Sequence, residues 1–314
     1  MHEAIDVESY CEWGVDYLKI DACRGAGYAA HNTSWIKFRA AIDACTKKRG
    51  YPIVMSVESC DDPSDSGCGA WIGKLANLWR TCGDIQAYFG SVMRNAADNT
   101  KMASRAGPTG GPLGGGRWND AGALMLALPW LSTARCMFLF CSCSLLSHHI
   151  RISSSPFFPS DMLQVGDIGL SLDEQRSHFA LWNIMASPLL IGSDVSMLTN
   201  TSLEILANGE ITAINQDPKG IQGVPVGPTA ATAETAACWA KPLADGGVAA
   251  ILLNTGDAEA TITCTLKDLG VTKNPTKVRD LWAKKDITPL PKAAGGVLTA
   301  KLKSHANMMV RISV

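Results

Sequence analysis

The sequence lacks any imbalance of charge: 28 lysines and arginines meet 29 aspartates and glutamates over 314 residues, a formal net charge of −1. A near-neutral chain carries no electrostatic footprint for nucleic acid or for an anionic membrane surface. It also lacks a leading apolar segment. MHEAIDVESYCEWGVDYLK is charged from Glu3 onward, so no signal peptide is expected at this start. Its eleven cysteines are too sparse for a disulfide scaffold, and Cys136, Cys141 and Cys143 crowd into one apolar stretch. No cysteine spacing reads as a zinc site, because Cys-Ser-Cys is too tight and Cys60 and Cys68 lack a second pair or nearby histidines. A Cys60–Cys68 disulfide stays open, and no metal or organic cofactor is implied. Two glycosylation triplets, Asn32-Thr33-Ser34 and Asn200-Thr201-Ser202, are short enough to arise by chance.

What is present is a globular composition, 46% hydrophobic and 18% charged, enough for one large domain and a small one. Short apolar runs alternate with helical patterns. VDYLKID (Val15 to Asp21), PIVMSVES (Pro52 to Ser59), LWRTCGDI (Leu78 to Ile85), DMLQVGD (Asp161 to Asp167) and SPLLIGSD (Ser187 to Asp194) read as buried strands. TSWIKFRAAIDACTKK, GAWIGKLANLW and LDEQRSHFALWNIMA read as helices between them. This rhythm predicts an α/β fold with a parallel sheet and helical crossovers.

Nearly every one of these strands ends on a carboxylate: Asp21, Glu58, Asp84, the pair Asp120 and Asp161, and Asp194. In a (β/α)8 barrel the C-terminal strand ends converge on one mouth, where active sites are built. The repeated strand-end acid therefore favours a barrel, with Asp194 better read as a helix N-cap. From Cys238 onward the pattern becomes CWAKPL, GGVAAILLNTG, ATITCTLKDLG, KVRDLWAKKDI, GGVLTAKLKSH and ANMMVRISV. Short β runs with turn residues between them predict an antiparallel β-sandwich over 238–314, after a linker at Gly220 to Ala237.

Paired carboxylates with neighbouring Lys and Arg suit glycoside hydrolysis. One must be ionised to attack or to stabilise an oxocarbenium ion, and the other must hold a proton for the leaving oxygen. Lys and Arg supply directed hydrogen bonds to sugar hydroxyls, although both could simply pair with nearby acids.

The motifs themselves carry a resemblance. WGVDYLKIDAC resembles the WGVDYLKYDNC signature of glycoside hydrolase family 27, the melibiase family of α-galactosidases. LWRTCGDI resembles its WRTTGDI segment, and WND with DMLQVG resembles WNDPDMLEVG. RSHFALWNIMASPLLIGSDV, INQDPKGIQG and VRDLW follow in the family's order. The resemblance implies that residues 1–222 form a partial (β/α)8 barrel, about strands 4–8. It also implies that Asp21 is a catalytic nucleophile and Asp84 its general acid/base, a pair that would stand ~5–5.5 Å apart. Lys19, Arg80, Met162 and Asp120 would line the sugar site. Glu58 falls where the α-galactosidases carry a Glu that leaves no room for a 2-acetamido group, which disfavours α-N-acetylgalactosaminidase activity and is silent on β-L-arabinopyranosidase activity. Val57 and Ala76 stand where the animal enzymes have a cysteine pair, so both partners are absent together.

The implied partners are α-galactoside oligosaccharides, polysaccharides or glycolipids, and the implied location is secreted, vacuolar or lysosomal. Three upstream βα units of the family have no counterpart here, which predicts an orphan thiol at Cys23 and poor activity, or galactose binding without turnover. One stretch fits no motif. Residues 121–160 separate WND from DMLQVG with the apolar run GALMLALPWLSTARCMFLFCSCSLL. A membrane span there would bury Arg135 at a cost of about 2.5–3.5 kcal/mol. A loop insertion would expose an apolar patch. A retained intron is the third reading, since SLLSHHIRISSSPFFPS is what a pyrimidine-rich tract encodes.

Overall fold

A computed structural model of the protein describes residues 2–21, 28–58, 68–109, 111–112, 115–121, 136–139, 162–230, 232–292 and 295–314. In chain order the elements begin with α1 (Glu3–Glu12), β1 (Tyr17–Ile20), α2 (Tyr28–Arg49), β2 (Val54–Val57), α3 (Cys68–Leu75) and β3 (Leu78–Arg80). There follow α4 (Phe89–Lys101), β4 (Trp118–Asp120), β5 (Cys136–Leu139), α5 (Leu172–Ile184), α6 (Asn200–Leu206) and α7 (Gly209–Asn215). The chain closes with β6 (Val224–Pro225), β7 (Cys238–Pro242), β8 (Val248–Leu253), β9 (Ala260–Thr265), β10 (Lys277–Asp280), β11 (Lys285–Asp286), β12 (Val297–Leu302) and β13 (Asn307–Ser313).

The chain divides into two compact units, the first comprising residues 1–80, 109–117 and 127–159 and the second the remainder. The first unit holds a sheet in the order β3-β2-β1-β5. All three pairings are parallel, as βαβ crossovers require. Every residue of β1 is buried, the signature of a strand covered on both faces. The helix after β1 runs longer than its expected Thr33 to Lys48 span, from Tyr28 to Arg49. Its last residue ties down the chain at the N-terminal ends of β1 and β2: Arg49 donates to the carbonyls of Val15 (2.6 Å), Tyr51 (2.9 Å) and Pro52 (3.0 Å) and to Asp16 (2.8 Å). A Cys11–Cys45 disulfide fastens α1 to α2.

The stretch at 121–160 falls largely outside the described residues, but Cys136–Leu139 within it forms β5, in register with Tyr17–Ile20 of β1. Cys23 and Cys60 also lie outside the described residues, as does the side chain of Cys68. Among the described residues no helix is long and apolar enough to cross a membrane.

Two strands expected from the sequence are not formed in the second unit. DMLQVGD and SPLLIGSD reduce to one parallel bridge, Leu163 with Ile191. The chain turns too soon to extend it: Gly166 sits at φ +98 and the Asp167 amide donates back to the Gln164 carbonyl at 3.2 Å. The positive φ favours glycine at 166, and a Cβ there would in addition displace the tip of Leu198, whose Cδ2 lies 2.3 Å from its position. Asp194 is an N-cap, as its sequence context suggested, accepting from the Ser196 amide at 2.9 Å. Helix α5 starts with a full capping box, Ser171 and Glu174 bonding reciprocally.

The C-terminal strands pair antiparallel, in one sheet ordered β11-β10-β13-β8-β7-β6 and a second formed by β12 and β9. Val224–Pro225, inside the expected linker, is therefore an edge strand. All six residues of β8, VAAILL, are buried, and its period of two divides them between two cores. Val248, Ala250 and Leu252 meet Leu266, Leu298 and Val310 between the two sheets. Ala249, Ile251 and Leu253 meet Phe179, Trp182, Ile184 and Ile211 from the helices on the other face.

A Cys238–Cys264 disulfide joins β7 to β9 and so links the two sheets across the inner core. Its sequence separation of 26 residues sets the loop that it closes. Loop-closure entropy then assigns it about 3.5 kcal/mol. A Cys238→Ala/Cys264→Ala variant is expected to lose about that much stability to urea. A loss below about 1 kcal/mol would show that the paired sheets need no covalent link.

Candidate active site

Parallel pairing fixes which side chains share a level at the C-terminal edge of the first unit's sheet. Ile20 lies opposite Val57, and Val57 opposite Trp79. The residues that follow, Asp21, Glu58 and Arg80, therefore stand side by side. Alternation along a strand places Lys19 on the same face as Asp21, and Ser56 on the same face as Glu58. The Glu58 amide donates to the Ile20 carbonyl at 2.9 Å, which extends the ladder to the last residue before Asp21.

Arg80 is 4% exposed, and its guanidinium donates to Glu58 at 2.5 Å. Lys19 is 9% exposed, while Asp21 and Glu58 are half-buried. The structure thus brings Glu58 and Arg80 into direct contact, with Lys19 and Asp21 on the adjacent strand. A buried charge-assisted pair of this kind orients both groups, because neither can leave without stranding the other in a poorly solvated place.

The second unit carries the other candidates. Asp84 is exposed between two buried anchors, Cys82 and Ile85. Asp120, wholly buried, ends β4, and its carbonyl accepts from Thr81 through both the amide (3.1 Å) and Oγ1 (3.2 Å). Behind them lies a buried amide network that no local sequence pattern announces. Thr81 Oγ1 donates to Asn99 Oδ1 at 2.9 Å, and Asn99 Nδ2 donates to Ser187 Oγ at 3.1 Å. Asn119 Nδ2 donates to the Met102 carbonyl at 2.6 Å and to Gln222 Oε1 at 2.9 Å, and Gln222 Nε2 donates to the Asn99 carbonyl at 3.1 Å. These residues span 81 to 222 in sequence, so only the fold assembles them.

Met162 is half-buried, at the start of the segment that ends in the Leu163–Ile191 bridge. That segment is held by a histidine. His178 of α5 is fully buried, lies edge-on to Trp182 at 4.2 Å between ring centroids, and accepts the Gln164 amide on Nε2 at 3.0 Å. Gln164 in turn donates from Nε2 to the Met162 carbonyl at 2.9 Å. Burial pushes the imidazole down to about 3, so the ring is neutral and its unprotonated Nε2 is the acceptor. Among the described residues no group of His, Cys, Asp and Glu is arranged to hold a metal.

The sequence model of a family described as Alpha galactosidase A matches residues 1–144 and 150–217, and that of the Alpha galactosidase C-terminal beta sandwich domain matches residues 233–312. The chain belongs to the α-galactosidase family, the melibiases of glycoside hydrolase family 27. Solved members of the family are (β/α)8-barrel enzymes, and this chain has a partial (β/α)8 barrel followed by an antiparallel β-sandwich. The chain is similar to an α-galactosidase of Cyamopsis tetragonoloba, 31% identical over 311 residues that cover 98% of this chain and 60% of the relative. It is also similar to an α-galactosidase of Oryza sativa subsp. japonica, 32% identical over 305 residues, covering 97% of this chain and 58% of the relative. Among solved structures, α-galactosidase I of Mortierella vinacea shares the fold with a TM-score of 0.72 at 23% identity, covering 99% of this chain and 71% of that one. This member of the α-galactosidase family thus spans about three fifths of the length of the two plant relatives.

Neutral His178 makes an acid limit for the fold. The unfolded imidazole titrates near 6.5 and the folded one near 3, so below pH 6.5 the unfolded chain binds more protons. Stability from the neutral ring is complete above about pH 6.5 and drains away as pH falls toward 3, by up to about 1.4 kcal/mol per pH unit. His178→Gln keeps an acceptor for the Gln164 amide but does not titrate. Urea midpoints measured from pH 7 to pH 4 are expected to fall less steeply for this variant than for the parent. Equal slopes would remove His178 from the account.

Proposed function

We propose that the chain carries the chemistry of a retaining glycosidase that releases terminal α-linked galactose. The observation that supports this most directly is the level formed by Asp21, Glu58 and Arg80 at the strand ends, in a chain matched to α-galactosidases along 98% of its length. In this reading the Asp21 carboxylate attacks the anomeric carbon while Asp84 protonates the glycosidic oxygen. The carbon–oxygen bond to the aglycone breaks, and a galactosyl ester to Asp21 forms. Asp84, now a carboxylate, takes a proton from water, which attacks the same carbon and frees both galactose and Asp21. Two inversions give net retention.

The remaining residues bind and orient. Lys19 and Arg80 offer donors to ring hydroxyls, and the Arg80 guanidinium, bonded to Glu58, holds that side chain in place. Glu58, so held, fills the space that a 2-acetamido group would need, which favours plain galactosides over N-acetylgalactosaminides. The family resemblance adds Met162 and Asp120 to the residues proposed for sugar binding. The substrates are α-galactoside oligosaccharides, polysaccharides or glycolipids, and two carboxylates suffice without a cofactor. The disulfides Cys11–Cys45 and Cys238–Cys264 suit an oxidising compartment, in keeping with a secreted, vacuolar or lysosomal setting.

Turnover of a chromogenic α-galactoside by the purified chain, at the low rate that the sequence leads us to expect, should release the α-anomer of galactose first by NMR. Asp21→Asn should lower the rate by at least about 10³-fold, as loss of a nucleophile does. No turnover by the parent chain, with galactose binding retained in calorimetry, would replace the catalytic reading with a binding one. Turnover that survives Asp21→Asn would refute the assignment of the nucleophile.

A further inference from the structure

Helix α4 packs Val92, Met93 and Ala96 into the large core of the second unit. Asn95 lies among them and is 1% exposed. An amide in that position is costly unless its hydrogen bonds are used. Its Nδ2 donates to the carbonyl of Gly83 at 3.0 Å, while its Oδ1 is buried with no hydrogen-bond partner among the described residues. The side chain is thus committed to one contact, and that contact is made with the loop that carries Asp84.

The loop needs a restraint at this point. Gly83 has no side chain to anchor it, is exposed, and a Cβ built there would meet nothing within 4 Å. The carbonyl of Gly83 and the amide of Asp84 belong to one planar peptide unit. Fixing the carbonyl oxygen therefore fixes the plane from which the Asp84 side chain departs. One turn earlier on the same face of α4, Ser91 Oγ accepts the Gln86 amide at 2.9 Å. The helix grips the loop on both sides of Asp84.

We infer that Asn95 is a positioning residue for Asp84, holding the Gly83–Asp84 peptide in the orientation that aims the carboxyl at the glycosidic oxygen. This rests on the reading of Asp84 as the general acid/base. A general acid matters most when the leaving group is poor, and displacement by about 1 Å can cost on the order of 10²-fold. An aryl galactoside with an acidic phenol leaves without protonation, whereas a saccharide aglycone does not.

The test uses the full chain with Asn95→Leu, which removes the donor, and Asn95→Asp, which keeps the shape and places an acceptor against the Gly83 carbonyl. For both variants kcat/KM on raffinose is expected to fall about 10- to 100-fold relative to kcat/KM on 2,4-dinitrophenyl α-galactoside. Equal losses on the two substrates would mean a merely structural role and would overturn the proposal, as would unchanged values on both. Hydrogen exchange over residues 82–86 supplies a readout that needs no turnover. Exchange should quicken at least tenfold in both variants, with protection of α5 and β8 unchanged, and parental protection at 82–86 would overturn the clamp. Should the parent hydrolyse neither substrate, the catalytic reading fails while the exchange result still decides whether Asn95 holds this loop.

Discussion

The register of three short parallel strands is the constraint on which the candidate site depends. Ile20, Val57 and Trp79 are aligned across β1, β2 and β3, and this alone puts Asp21, Glu58 and Arg80 abreast. A slip of one residue in any strand would turn its acid or base to the opposite face and send an apolar residue in its place. The slip is opposed by the burial of the alternate residues: Leu18, Met55 and Trp79 are 0% exposed. Specificity for a polar rim is thus enforced by apolar side chains on the opposite face of the strands. Arg80 illustrates the coupling, since it is at once the last residue of β3 and the partner that satisfies Glu58.

Strand register cannot position residues that lie in loops, and the second unit uses side chains from helices instead. Asn95 and Ser91 on α4 hold the Gly83–Gln86 loop, and His178 on α5 holds Gln164 and through it Met162. These groups are deeply placed in a hydrophobic cluster, so their hydrogen bonds are strong and their alternatives few. Rigidity of the helices comes in turn from the six-stranded sheet packed against them. Lys241 shows how far that packing goes. Its ammonium is buried against the Ile214 carbonyl at 2.7 Å at the end of α7, and burial lowers it to about 8 despite the nearby charge of Asp217. A cation on a helix C-terminus is electrostatically apt, which makes its burial tolerable.

How much of this could be read from the sequence varies with the kind of signal. β1, β2 and β3 stood out as short apolar runs between helical patterns, and the C-terminal strands as short β patterns spaced by turn residues, with VAAILL of β8 buried along its whole length. The same logic misled at DMLQVGD and SPLLIGSD, where apolar residues are buried singly around one bridge and a left-handed glycine ends the extension. The helix cap at Asp194 was legible because it depends on residues two positions apart. The disulfides were not, since Cys11 and Cys45 are 34 residues apart and nothing in either neighbourhood specifies the other. Asn95, Asn99, Asn119, His178 and Gln222 were equally silent: a buried amide and a surface amide look alike until the fold supplies the partner. The candidate acids were visible because they end strands, whereas what holds them was hidden because it comes from elsewhere in the chain.

The apolar stretch at 121–160 belongs to the same argument about edges. A parallel strand has backbone donors and acceptors along both edges, and β1 gives only one of them to β2. On the other side Cys136–Leu139 runs parallel to it, one residue against each of Tyr17, Leu18, Lys19 and Ile20. Strand pairing of this kind asks for extended backbone and β-forming residues and makes little demand on side-chain identity. CMFL meets those terms, so four residues of the stretch complete the ladder of the strand that delivers Lys19 and leads into Asp21. An unpaired edge there would leave β1 free to shift register or to recruit a foreign strand. The structural effect of these four residues thus falls on the strand that carries Lys19 and leads into the candidate nucleophile Asp21.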